Sequence, residues 1–110
     1  MQAYAIAHLR NVSMGPAIVE YLERIDGTLE PFGGHFIIHG GMPAVKEGTW
    51  RGDLIVIAFP DRARAEAWYA SQAYQAIKHL RSDHSEGEVL LMDGVDASHR
   101  ATDILMGVSA

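Results

Sequence analysis

The stretch Leu54–Arg81, LIVIAFPDRARAEAWYASQAYQAIKHLR, decides how this chain folds. Its opening run, Leu54 to Phe59, is apolar, short and rich in β-branched residues, and Pro60 closes it; that is the pattern of a buried strand. Asp61 is placed to cap a helix, and alanine-rich sequence carries that helix to Ala70. Ser71 can cap a second helix, in which Ala73, Ile77 and Leu80 share a face. Trp68, Tyr69, Tyr74 and Arg81 all fall in this helical part, the densest group of large amphipathic side chains in the protein.

On the N-terminal side, Ala3 to Leu9 predicts a first strand. Tyr4, Ile6, His8 and Arg10 share one of its faces, and Ala3, Ala5, Ala7 and Leu9 share the other. Ser13 or Gly15 is placed to cap the next helix, and Pro16 suits its first turn. Ile18, Leu22, Ile25 and Leu29 recur at helical spacing, which predicts a helix over Pro16–Leu29 with a weak point at Gly27. Pro31-Phe32-Gly33-Gly34 turns the chain into a second strand, His35–His39, stopped by Gly40-Gly41. The connection from Met42 to Asp53 carries Glu47, Trp50 and Arg51, and a loop of that length serves function or an interface more often than nothing.

On the C-terminal side, Ser82 to Glu88 reads as a polar loop and Val89 to Met92 as the fourth strand, closed by Gly94. Residues 96–110 read as a tail whose Ile104, Leu105 and Met106 can dock against something. The order β-α-β-β-α-α-β over residues 1–95 predicts an α+β, ferredoxin-like domain with a mostly antiparallel four-stranded sheet. Its third and fourth strands are apolar at consecutive positions, so both sheet faces require burial. One helical layer covers one face. The same sheet of a second copy is the economical cover for the other, which predicts a homodimer.

The chain has 110 residues, enough for one domain with a modest core. A net charge of −5 and scattered Lys and Arg argue against binding to nucleic acid or to an anionic membrane. Absence of cysteine excludes disulfides, thiolate catalysis and cysteine-held metals, and it suits a reducing cytoplasm. The opening residues Met1-Gln2-Ala3-Tyr4 show no basic leader before an apolar block, so no signal peptide is expected. The longest uncharged run, Pro31 to Val45, is broken by four glycines and two prolines and is unsuited to crossing a bilayer.

One family shares these features as a spaced set. Phe32-Gly33-Gly34-His35-Phe36, the Gly40-Gly41 pair, Glu47-Gly48 with Trp50, and Val56 to Pro60 form one part. Trp68-Tyr69, Ser71, Tyr74 and Arg81 form the other, with Val89 to Val95 closing the domain. Together they resemble the uncharacterised domain-of-unknown-function 1330 family, within the dimeric α+β barrel superfamily. The resemblance implies two sheets closing a barrel across a dimer, and it implies no reaction. The wider superfamily includes cofactor-free monooxygenases, haem-degrading enzymes, lactone isomerases and ligand-sensing domains, so fold alone does not fix chemistry. The chain departs from the pattern at His35 and His39, where arginine is commoner, and at Ala58, where an acidic residue is frequent.

Histidines invite a metal reading, but the spacing does not support one. His35 and His39 on one strand face would stand roughly 13 Å apart. His79, Asp83 and His84 lie together only at a helix end. Metal-free protein with no cofactor is the expectation. His8, in an otherwise apolar strand, is the candidate for acid–base catalysis; the alternative is a core histidine bonded to backbone. Trp68, Tyr69, Tyr74 and Arg81, with His39 and Trp50, are the candidate ligand-binding residues for a small aromatic or carboxylic molecule, Arg81 pairing with its carboxylate. Equally, the aromatics can be packing anchors with their polar tips at the surface, and Arg81 a helix-end charge. Three functions stay open: a cofactor-independent enzyme, a non-catalytic binding module, and a structural or stress-related oligomer.

Overall fold

The computed structural model describes residues 1–107; the last three residues of the expected tail lie outside them. The elements run β1 (Ala3–Arg10), α1 (Pro16–Leu29), β2 (His35–Ile38), β3 (Asp53–Phe59), α2 (Arg62–Ala70), α3 (Gln72–Ser82), β4 (Glu86–Asp93) and a short α4 (Asp103–Gly107). A single 3-10 turn, Glu30–Phe32, comes directly after α1. The sheet order is β2-β3-β1-β4, and every pairing is antiparallel. This is the ferredoxin-like α+β arrangement. Among the described residues, no helix is long and apolar enough to cross a membrane.

Local chemistry explains the two C-terminal helices. The Asp61 carboxylate accepts a hydrogen bond from the Arg64 amide at 2.8 Å and caps α2. Ser71 then acts on both sides of a break. Its hydroxyl donates to the Trp68 carbonyl at 2.7 Å and accepts from the Tyr74 amide at 3.2 Å. In one continuous helix, residues six apart would point about 120° away from each other. The interruption at Ser71 lets Trp68 and Tyr74 enter the same core, with ring centroids 4.2 Å apart.

Register assigns the residues of β1, β3 and β4 to faces. The helix-side face carries Ala3, Ala5 and Ala7 of β1 opposite Phe59, Ile57 and Ile55 of β3. With Tyr21, Ile25, Leu29, Trp68, Tyr74 and Ile77 these build the core. The other face carries Tyr4, Ile6 and His8 opposite Ala58, Val56 and Leu54, with Met92, Leu90 and Glu88 on the far side. Among the described residues no helix packs across it. Leu90 stays 44% exposed and Met92 53%, so apolar surface there lacks cover from its own chain.

Three sequence expectations shift. On α1, Leu22 is exposed and Tyr21 is buried instead, because the face that meets the core runs through residues 18, 21, 25 and 28. The loop expected over Ser82–Glu88 is shorter, since β4 begins at Glu86, where Arg10 pairs with it and the Arg10 guanidinium grips Glu88. Gly87 makes this extension fit: its φ is +147°, and a Cβ there would run into the His8 carbonyl oxygen. Strand β2 ends at Ile38, and a bulge between Phe36 and Ile38 breaks the alternation. His35 therefore lies with Ala58 on the uncovered face, whereas His39 stacks on Phe36 at 4.3 Å on the helix side. The two histidines do not share a face.

Candidate functional site

The alanines of β1 create space. Ala5 and Ala7 stand in the middle of the helix-side face, where larger residues would reach α1, and a cavity of about 240 Å³ opens there. Ile18 and Ile25 of α1 and Ile55 and Ile57 of β3 supply further apolar wall. The exposed members of its lining, Met14, Leu22, His39, Gly40 and Asp53, mark the mouth.

One corner of this cavity is polar. The Tyr21 and Tyr74 hydroxyls meet at 2.8 Å, brought together from α1 and α3. Arg81, two turns beyond Tyr74 on α3, donates from Nη2 to the Tyr74 hydroxyl at 3.4 Å. Its guanidinium carbon lies 5.9 Å from the centre of the Tyr21 ring. Burial pushes the Tyr21 hydroxyl well above the ordinary phenol range, and the neighbouring Tyr74 adds to this, so Tyr21 is neutral. Burial also disfavours the Arg81 charge, but the Tyr74 and Tyr21 oxygens outweigh it and hold its pKa above the usual value. Among the described residues no Asp or Glu forms an ion pair with Arg81.

The residues singled out from sequence fall into two groups with the sheet between them. Trp68, Tyr74, Arg81 and His39 line the helix-side cavity. Trp68 is 2% exposed, and its indole N–H donates to Thr28 Oγ1 at 3.0 Å, while that hydroxyl donates to the Ile25 carbonyl at 2.7 Å. The tryptophan tip is thus inside and satisfied, not at the surface. Tyr69 packs on this cluster without reaching the cavity, its ring 5.4 Å from Tyr74 and covered by the Lys78 ammonium at 5.6 Å.

His8 and Trp50 lie on the other sheet face. Their rings stack at 4.5 Å, and the Trp50 N–H donates to the Gly52 carbonyl at 3.0 Å. The His8 Nδ1 accepts from Arg10 at 3.1 Å, which leaves Nε2 as the protonated nitrogen facing the Arg51 carbonyl at 2.6 Å. Both ring nitrogens are engaged. Arg10 in turn binds both Glu88 oxygens, at 3.0 and 2.7 Å, and this holds the Glu88 carboxyl below the ordinary carboxylate range. Among the described residues, no three His, Asp or Glu side chains converge as a metal ion would require.

Sequence reasoning missed Tyr21 and Thr28. Tyr21 was within reach of periodicity, three residues after Ile18 and four before Ile25. Its hydroxyl partner was not, because Tyr74 lies 53 residues away.

Residues 2–95 match the model of the family described as Domain of unknown function (DUF1330). No curated protein sequence matches the chain. A protein of unknown function from Rhodopseudomonas palustris is 12% identical, over 86% of this chain and 83% of that one, with a TM-score of 0.63. SnoaB, a cofactor-independent oxygenase from Streptomyces nogalater, is 13% identical over 90% of this chain and 98% of its own, with a TM-score of 0.57. A dimeric ferredoxin-like protein of unknown function from a Jannaschia species is 14% identical over 82% of this chain and 98% of its own, with a TM-score of 0.53. At such identities the likeness shows the fold.

Proposed function

For a chain that belongs to the family described as Domain of unknown function (DUF1330), we propose a function on geometry: it binds a small organic molecule in the helix-side cavity, and two copies pair through the uncovered sheet face. The cavity carries the first part. Its volume of about 240 Å³ exceeds the roughly 150 Å³ of an apolar cavity that takes up benzene, so a ring with a short substituent fits. Trp68 serves as wall, Tyr74 and Arg81 as the polar corner and His39 as part of the rim. In this reading His8 and Trp50 belong to the pairing face and do not meet the ligand.

Exposed Leu90, Met92, Leu54 and Ile38 support the second part, since a sheet face with this much apolar surface is stabilised by an equal face. A structural neighbour described as dimeric supports it as well. A neighbour described as a cofactor-independent oxygenase makes cofactor-free chemistry on the bound molecule the natural extension, and a cysteine-free chain fits a cytoplasmic setting.

Filling the cavity tests the ligand reading. Ala7→Leu adds three carbons into the space. We expect it to fold with unchanged or raised stability and to lose the thermal shift that ring-sized organic molecules give the wild type. If the space is already packed, the same change costs about 1–3 kcal/mol, and the reading fails.

A further inference from the structure

We propose that the cavity selects a monocarboxylate with an apolar body, its head seated between Arg81 and the Tyr21–Tyr74 hydroxyl pair. This rests on the ligand reading above and adds the class of ligand and a residue, Tyr21, that determines specificity.

Counting donors leads to it. Two phenols bring two O–H protons, and the 2.8 Å contact between them uses one. Arg81 donates to the Tyr74 oxygen. If Tyr74 donates to Tyr21, the Tyr21 proton is left over; if Tyr21 donates to Tyr74, the Tyr74 proton is left over. Either way one hydroxyl donor is uncommitted, beside a guanidinium with N–H groups to spare. The corner therefore offers several donors, one of them charged, against a single weak phenol acceptor on Tyr21. An amide or alcohol uses one neutral acceptor here, whereas a carboxylate accepts from the guanidinium and the hydroxyl at once, with charge-assisted bonds.

Charge points the same way. Arg81 is half-buried at a mainly apolar cavity and has no carboxylate partner among the described residues. By contrast, Arg10, Arg24, Arg62 and Arg64 meet Glu88, Glu20, Glu66 and Asp61, and Arg51 and Arg100, which also lack a carboxylate, are exposed to solvent. An anion bound at Arg81 supplies the missing partner. Asp53 at the mouth disfavours a second negative charge on the ligand. The walls of isoleucine and alanine set the apolar body.

Phenylbutyrate, its amide and its alcohol share one body and differ at the head, so calorimetric titration of the three against the full chain reads the head group alone. The wild type should bind the acid at least tenfold tighter than the amide or the alcohol. Tyr21→Phe, which keeps the ring, and Arg81→Gln should each erase that preference, the acid losing far more affinity than the amide or the alcohol; circular dichroism confirms that both variants are folded. Equal affinity for all three molecules, abolished by Ala7→Leu, overturns the carboxylate proposal and leaves the cavity reading standing. Acid preference that survives in both Tyr21→Phe and Arg81→Gln overturns the assignment of the head group to this corner. No binding of any of the three by the wild type overturns both readings.

Discussion

The two tryptophans of this protein sit on opposite faces of one sheet and have different tasks. Trp68 is 2% exposed, with its N–H bonded to Thr28 and rings of Phe59 and Tyr74 against it. Trp50 is 40% exposed, stacked on His8 and bonded only to a nearby backbone carbonyl. The first is held by three different elements; the second lies on a face whose Leu90 and Met92 its own chain leaves about half exposed. The helices cover one face of the sheet, and the other keeps exposed apolar side chains, the surface proposed above for pairing. That division also separates the candidate chemistry, with the donors of the cavity on one side and the His8–Arg10–Glu88 network on the other.

Trp68→Ala is the largest expected loss. It removes a central ring and leaves the Thr28 hydroxyl without its donor, and about 3–5 kcal/mol should disappear from the unfolding free energy in denaturant titrations. A loss below about 1 kcal/mol would mean that the two faces do not differ in the way described.

Leu90→Asp should act on assembly and not on the fold. The side chain is 44% exposed in the single chain, so a charge there stays solvated in the monomer but would be stranded against a second sheet. Light scattering at micromolar concentration should show wild-type dimer and variant monomer with the same circular dichroism. A variant that remains dimeric would move the interface elsewhere.

Trp50→Ala should cost the monomer about 1 kcal/mol, the worth of one stacked pair, and Trp68→Ala several times more. Comparable losses at the two positions, measured in the Leu90→Asp background to remove assembly, would break the contrast.

Glu88→Gln is the smallest effect, and it fades in acid. Arg10 holds the folded carboxyl below its unfolded value, so its contribution is present above the ordinary carboxylate range and is lost as pH falls through the folded pKa. The variant should lack the contribution at neutral pH and converge with the wild type in acid. A difference that grows on acidification would reverse the sign and refute the assignment.

Much of this was legible in the chain. Helix α1 has the expected bounds, Pro16 to Leu29, because proline at its start and a regular apolar stripe are local signals. The roles of Asp61 and Ser71 as caps were readable for the same reason. Strand faces came from alternation, which put His8 with Tyr4 and Ile6 correctly. What stayed hidden depended on partners distant in sequence. The bulge that sends His39 to the helix side arises in the pairing of β2 with β3, and no residue in His35–His39 announces it. Tyr21 looked like one more helical residue until Tyr74 arrived from α3. The cavity was written as Ala5 and Ala7, but small side chains announce a space only when the opposite wall fails to fill it.

That row of alanines has a volumetric consequence. Unfolding eliminates internal void, so a protein that keeps an open chamber in its middle unfolds to a smaller system volume and is sensitive to hydrostatic pressure. Compression should therefore unfold the empty chain at lower pressure than Ala7→Leu, in which the chamber is occupied from within. A bound guest should give the wild type the same resistance from without, and pressure becomes a gauge of occupancy that needs no knowledge of what the guest is.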